Sequence, residues 1–137
     1  MVSFTLQHPQ ITLSGPVLPV TLIKPGTQLS TNSSSCQAIP VLIDTGASHS
    51  FILQGIPAQL GLNHKGTIMI NGPTMANLQC NQYDIEIIFP NNQNIIIRVV
   101  EVPVITPAPI QCVLGRDFLK DSIFIYNGKE NFFTLVF

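Results

Sequence analysis

The stretch AIPVLIDTGASHSFI, residues 38–52, decides how the chain is read. Val41, Leu42 and Ile43 form a short apolar run of the kind found in a buried strand. The run breaks at a carboxylate, Asp44, followed by Thr45, Gly46 and Ala47. The other acidic residues read as lying beside polar neighbours or at turns; Asp44 alone interrupts what is otherwise a buried strand. An unpaired carboxylate is costly to bury, so it either takes up a proton or finds donors and a second ionisable group to share its charge. Gly46 permits a tight turn, Thr45 offers a hydroxyl and Ala47 keeps the turn small. On these residues alone, an Asx-type turn between two strands accounts for the pattern as well as a reactive acid does.

On both sides of this segment, short apolar or alternating runs recur between turn residues: VSFTL, ITLSG, VLPVTLI, SFIL, GTIMI, YDIEIIF, NIIIRVVEV, QCVL, SIFIY and FFTLVF. Isoleucine, valine, threonine and phenylalanine dominate them, and Pro9, Pro16, Pro25, Pro90 and Pro103 fall where a helix would break. The pattern predicts an all-β sandwich or barrel of many short strands. Short helical turns are expected only at residues 56–62 and 116–121. Residues 24–37 are polar and rich in turn formers, which predicts a surface loop. A faint echo links residues 41–43, running into Asp44-Thr45-Gly46, with residues 112–114, running into Gly115-Arg116-Asp117. It raises the expectation of two related halves.

With 137 residues the chain is expected to form one domain, residues 1–137. Only 9% of residues are charged, against roughly 25% in ordinary soluble domains, so self-association is expected to cover a neutral exterior. The net charge is −1 and the basic residues are scattered, which argues against nucleic acid as a partner. No apolar run approaches the ~20 residues of a membrane span, and the first residues lack a basic start, so neither membrane association nor secretion is expected. Cys36, Cys80 and Cys112 are odd in number and widely spaced, which suits free thiols in an intracellular, reducing compartment. No Cys–His spacing recommends a metal site and no GxSxG motif is present. No metal or other cofactor is expected.

VLIDTGASHSFI, residues 41–52, resembles the active-site loop of aspartic proteases. QCVLGRDFL, residues 111–119, resembles the second signature of the retroviral type: an apolar pair, glycine, arginine and then a short helix. Between them GTIMINGPTMANLQCNQYDIEI, residues 66–87, is similar to the flap hairpin and the strand that follows it. On these motifs, which lie between Val41 and Leu119 within a likeness that runs from about Phe4 through Phe137, the sequence is similar to the retropepsins, proteases of retroviruses and related retroelements.

The resemblance implies a closed β-barrel with a flap hairpin and one short C-terminal helix. It also implies a homodimer, because two carboxylates must share a proton and the chain holds one DTG. Asp44 would be catalytic, supported by Thr45 and Gly46. Leu42, Ala47, Ser48, His49, Phe51, Ile70, Asn71, Gly72 and Val113 would line the substrate site, although a lone strand histidine such as His49 is equally at home facing solvent. Arg116, Phe133 and Leu135 would serve structure and dimer, with the terminal strands interleaved in an interchain sheet. The implied substrate is a polypeptide, its own polyprotein, in a virion or host cytoplasm.

Two departures stand out from the family pattern. The flap tip, Asn71 to Ala76, has one glycine and a proline, which implies a stiffer lid. Ser48 stands where many relatives carry an aspartate that pairs with the arginine matched by Arg116. Arg116 is thereby left to the Ser48 hydroxyl, a backbone carbonyl, Asp117 or a group of the partner. Two other readings compete with an active protease. One is a catalytically idle dimeric module of the same fold, against which the intact DTGA stands. The other is a β-barrel nucleotidase of the dUTPase type, whose glycine-rich C-terminal arm and acidic uracil-site segment are missing.

Overall fold

Every apolar run but one becomes a strand in the computed structural model, which describes residues 1–27, 35–72 and 76–137. In chain order the described elements are β1 (Ser3–Gln7), α1 (Ile11–Ser14), β2 (Val17–Ile23), β3 (Ser35–Ile43), β4 (Phe51–Leu53), α2 (Ile56–Gln59), β5 (Gly66–Ile70), β6 (Leu78–Ile88), β7 (Asn94–Val102), β8 (Cys112–Leu114), α3 (Arg116–Leu119), β9 (Ile123–Asn127) and β10 (Phe132–Val136). The exception is ITLSG, which forms the single turn α1. Gly15 ends it at φ +79°, and its one inward residue, Ile11, is 1% exposed. That packing outweighs the strand preference of Ile11 and Thr12.

Six strands run in the order β2-β3-β8-β4-β7-β6, and pairing of β2 with β6 closes them into a barrel, as the resemblance implies. β5 adds to β6 as an antiparallel hairpin. β3 and β8 pair in parallel, with Val41, Leu42 and Ile43 opposite Cys112, Val113 and Leu114. The two echoed runs are therefore register partners at the centre of the sheet. The barrel is filled by Leu18, Leu22, Val41, Ile52, Ile85, Ile87, Val99, Cys112 and Leu114, all buried. Each fully buried aliphatic side chain contributes about 1.5–3 kcal/mol relative to exposure.

Three expectations need correction. The terminal strands, expected in an interchain sheet, pair within one chain: β1, β10 and β9 form an antiparallel sheet, and β10 is paired along both edges. Phe133 and Leu135, expected to serve structure and dimer, take the structural part: they are 0% exposed and lie in the chain's core with Phe4, Leu6 and Phe124. The buried carboxylate is Glu86, on the face of β6 opposite Ile85 and Ile87, and not Asp44. Glu86 lies at the β2–β6 seam, where it accepts the Gly26 N–H at 3.1 Å and the Asn94 amide at 2.6 Å. The loop expected over residues 24–37 is shorter, because β3 already includes Cys36 and Gln37; residues 28–34 lie outside the described residues. No described helix is long and apolar enough to cross a membrane.

Candidate active site

β3 stops at Ile43, so Asp44 lies just past the strand and is half-buried in the single chain. Its backbone is tied on one side to β8, where its N–H donates to Leu114 O at 2.9 Å. Its side chain closes the turn, with Oδ1 accepting the Gly46 N–H at 2.8 Å. The Asx turn that the sequence allowed is therefore present. It does not exhaust the carboxylate, whose other oxygen retains acceptor capacity.

The second signature locks onto the first. Arg116 donates its backbone N–H to Ala47 O at 2.8 Å and its guanidinium Nη1 to Thr45 O at 2.9 Å. Of the partners open to Arg116, a backbone carbonyl is the one it takes. Gly115 passes so close to the loop that an added Cβ would lie 2.4 Å from His49 O and 2.7 Å from Ala47 O. The glycine of the second signature is thus a spacing requirement.

Asp44 opens into a cavity of about 130 Å³ lined by Ala47, Phe51, Val102, Val104, Ile105 and Val113. Asp44 is the one charged residue among the described residues of this wall. Larger hollows lie elsewhere, including one of about 320 Å³ between β7 and α3 that also carries acids, Asp117 and Asp121, but at the Asp44 cavity every other described lining residue is apolar. Ala47, Phe51 and Val113 were anticipated here. Val102, at the end of β7, and Val104 and Ile105 after it were not, because the strand reads only as core and the proline-rich loop that follows only as punctuation.

The remaining anticipated residues are distributed around this centre. Thr45, Gly46 and Ser48 are exposed on the turn. His49 is half-buried, its ring edge-on to Phe51 with centroids 6.4 Å apart. Leu42 does not line the cavity; its Cδ1 lies against the Gly15 turn. Ile70 is buried in a second apolar cluster with Cys80, Val100 and Val102, which Phe51 and Ile105 join from the cavity side. Asn71 and Gly72 lie at the neck of the β5–β6 hairpin, where Asn71 Oδ1 accepts the Asn77 N–H at 2.7 Å. Pro73, Thr74 and Met75, on which the expected stiff lid rests, lie outside the described residues.

Sequence reasoning also missed Ser50 and Asp117. Ser50 is 0% exposed and bonds Asp117 through both its N–H and its hydroxyl. The available signal was a serine opening an apolar strand and an aspartate in a helix start. Burial pushes the Cys112 thiol up to about 12, so it offers no nucleophile. No group of three or more metal-ligating side chains occurs among the described residues.

Residues 18–123 match the family model of the retroviral aspartyl protease. A solved structure, a retropepsin-like aspartic protease from Rickettsia conorii, aligns with a TM-score of 0.57 over 98% of this chain and 90% of that one. The two sequences are 10% identical, so this likeness speaks for the fold alone. No curated protein matches by sequence.

Proposed function

Because the chain belongs to the retroviral aspartyl protease family, we propose that it is an aspartic endopeptidase acting as a homodimer, with one Asp44 from each copy at the twofold axis. A water held between the two carboxylates is activated by the ionised one, while the protonated one donates to the scissile carbonyl oxygen as it becomes tetrahedral. A proton then passes to the leaving nitrogen, and no covalent intermediate forms. The pair titrates as a unit. With both acids ionised the donor is lost, and with both protonated the base is lost, so activity is bell-shaped in pH with a mildly acidic optimum, as is general for carboxylate dyads.

The observation that carries this reading is the placement of Asp44 on a pinned turn beside an apolar cavity that holds no second acid among its described lining residues. A second copy supplies that acid. Thr45 supports the acid by bonding across the axis, and Gly46 admits the substrate backbone. An extended peptide lies between this floor and the β5–β6 hairpin, bound by main-chain bonds and selected by alternate side chains. Ala47, Ser48, His49, Phe51, Val113 and the hairpin-neck residues Asn71 and Gly72 shape its subsites, with Ile70 backing the wall. Apolar residues flanking the cut fit this lining.

The substrate of this reading is a polyprotein of a retrovirus or retroelement, and its setting is a reducing intracellular compartment, in keeping with three free cysteines. Asp44→Asn tests the reading, with molar mass measured beside peptide cleavage. Loss of cleavage at unchanged mass is expected. Cleavage that survives the substitution refutes the mechanism.

A further inference from the structure

Ser50 and Asp117 form a polar junction that the proton chemistry does not use. Asp117 Oδ1 accepts the Ser50 hydroxyl at 2.7 Å and the Phe118 N–H at 2.8 Å, while Oδ2 accepts the Ser50 N–H at 2.9 Å. The Ser50 hydroxyl in turn accepts the Gly115 N–H at 3.0 Å. The hydroxyl thus relays between the β8–α3 turn and the carboxylate, and three donors converge on one acid. A surface helix-start aspartate satisfies only its own helix end. Here one bond does that, and the other two cross to the strand that leaves the Asp44 loop.

The loop from Asp44 to Ser50 is held against residues 114–117 at both ends and in the middle: by Asp44 to Leu114, by Ala47 to Arg116, and by Ser50 to Asp117. Only the last of these ties depends on side chains at both partners. Its serine end is fully buried, and there an unmet donor or acceptor carries its full desolvation penalty.

We propose that Ser50 and Asp117 are positioning residues that, through Gly115, fix the Asp44 turn in the orientation that presents its carboxylate to the cavity. The effect on the turn stands by itself; the effect on rate rests on the protease reading. Ser50→Ala leaves the Gly115 N–H without its acceptor and takes one donor from Asp117. Asp117→Asn keeps the size but accepts on one oxygen only, so an amide NH₂ faces a donor.

The test is hydrogen exchange at the Asp44, Ala47 and Arg116 amides, read beside Ile85 and Val99 in the barrel, with steady-state cleavage by the same preparations. In both variants, exchange at the three turn amides rises by about tenfold or more, while the barrel amides stay within about twofold. The value of kcat per folded copy falls by about tenfold at unchanged KM. Ser50→Thr, which keeps the hydroxyl, restores both. Unchanged exchange at the turn, a rise shared by the barrel, failure of both variants to fold, or an unchanged kcat with a loosened turn overturns the proposal. A parent protein that cleaves no peptide, with the turn loosened in the variants as expected, removes the protease reading and leaves the positioning role in place.

Discussion

Gly115→Ala is the substitution whose outcome follows most directly from the geometry. Gly115 has φ −96° and ψ −165°, an extended conformation open to any residue, so backbone freedom does not explain it. Space does. A Cβ there would lie 2.4 Å from His49 O, while ordinary contact begins at 3.4 Å, so that carbonyl must retreat by about 1 Å. Ala47 O, 2.7 Å from the same Cβ, is the acceptor of the Arg116 N–H, and its displacement weakens that bond. Overpacking of this kind costs about 1–3 kcal/mol, and a compromised backbone bond adds about 1 kcal/mol. The expected loss is therefore ~2–4 kcal/mol. At ~4 °C per kcal/mol for a domain of this size, the midpoint falls by roughly 8–16 °C. Calorimetric melting at one protein concentration reads it. Gly66→Ala is the control, since a Cβ there meets only the end of the Gln82 side chain at 3.4 Å; its change stays within about 0.5 kcal/mol. A Gly115→Ala midpoint within about 2 °C of the parent refutes the claim that the two signatures pack backbone to backbone.

Two further outcomes are expected. Phe133→Ala empties a fully buried site and destabilises by about 3–5 kcal/mol in denaturant titration, whereas Thr5→Ala, which removes an exposed Thr5–Thr134 hydroxyl pair, stays near neutral; a Phe133→Ala loss under about 1 kcal/mol contradicts the placement of β10 in the chain's own core. Thiol labelling at neutral pH, followed by mass spectrometry, modifies half-buried Cys36 before Cys112, whose thiol burial pushes up from 9.0 to about 12. Because the folded value is the higher one, stability is full below about 9 and declines as pH rises toward 12. Equal labelling rates for the two cysteines contradict this burial.

Periodicity was the legible part of the sequence. NIIIRVVEV spans the bounds of β7, and the echoed triplets proved to be partners across the sheet, because apolar alternation reports burial directly. Single polar residues were not legible. Asp44 interrupts an apolar run yet lies half-exposed at its end, whereas Glu86, inside YDIEIIF, is buried at a seam. Both patterns look alike until the partner is known, and the partners are non-local: Asp117 is 67 positions from Ser50, and Gly26 is 60 from Glu86. Strand identity was legible at both chain ends, but strand pairing was not, since a run such as FFTLVF specifies an edge without specifying whose edge it meets.

That self-contained pairing of β10 has a bearing on control. Within one chain the terminal sheet is complete through β10, paired along both of its edges; if two copies pair as the proposed dyad requires, each is expected to keep that sheet on separation and to be short only of an acid. Under the dyad reading, dilution then acts as an off-switch without denaturation, and crowding of many copies into a small volume acts as the trigger.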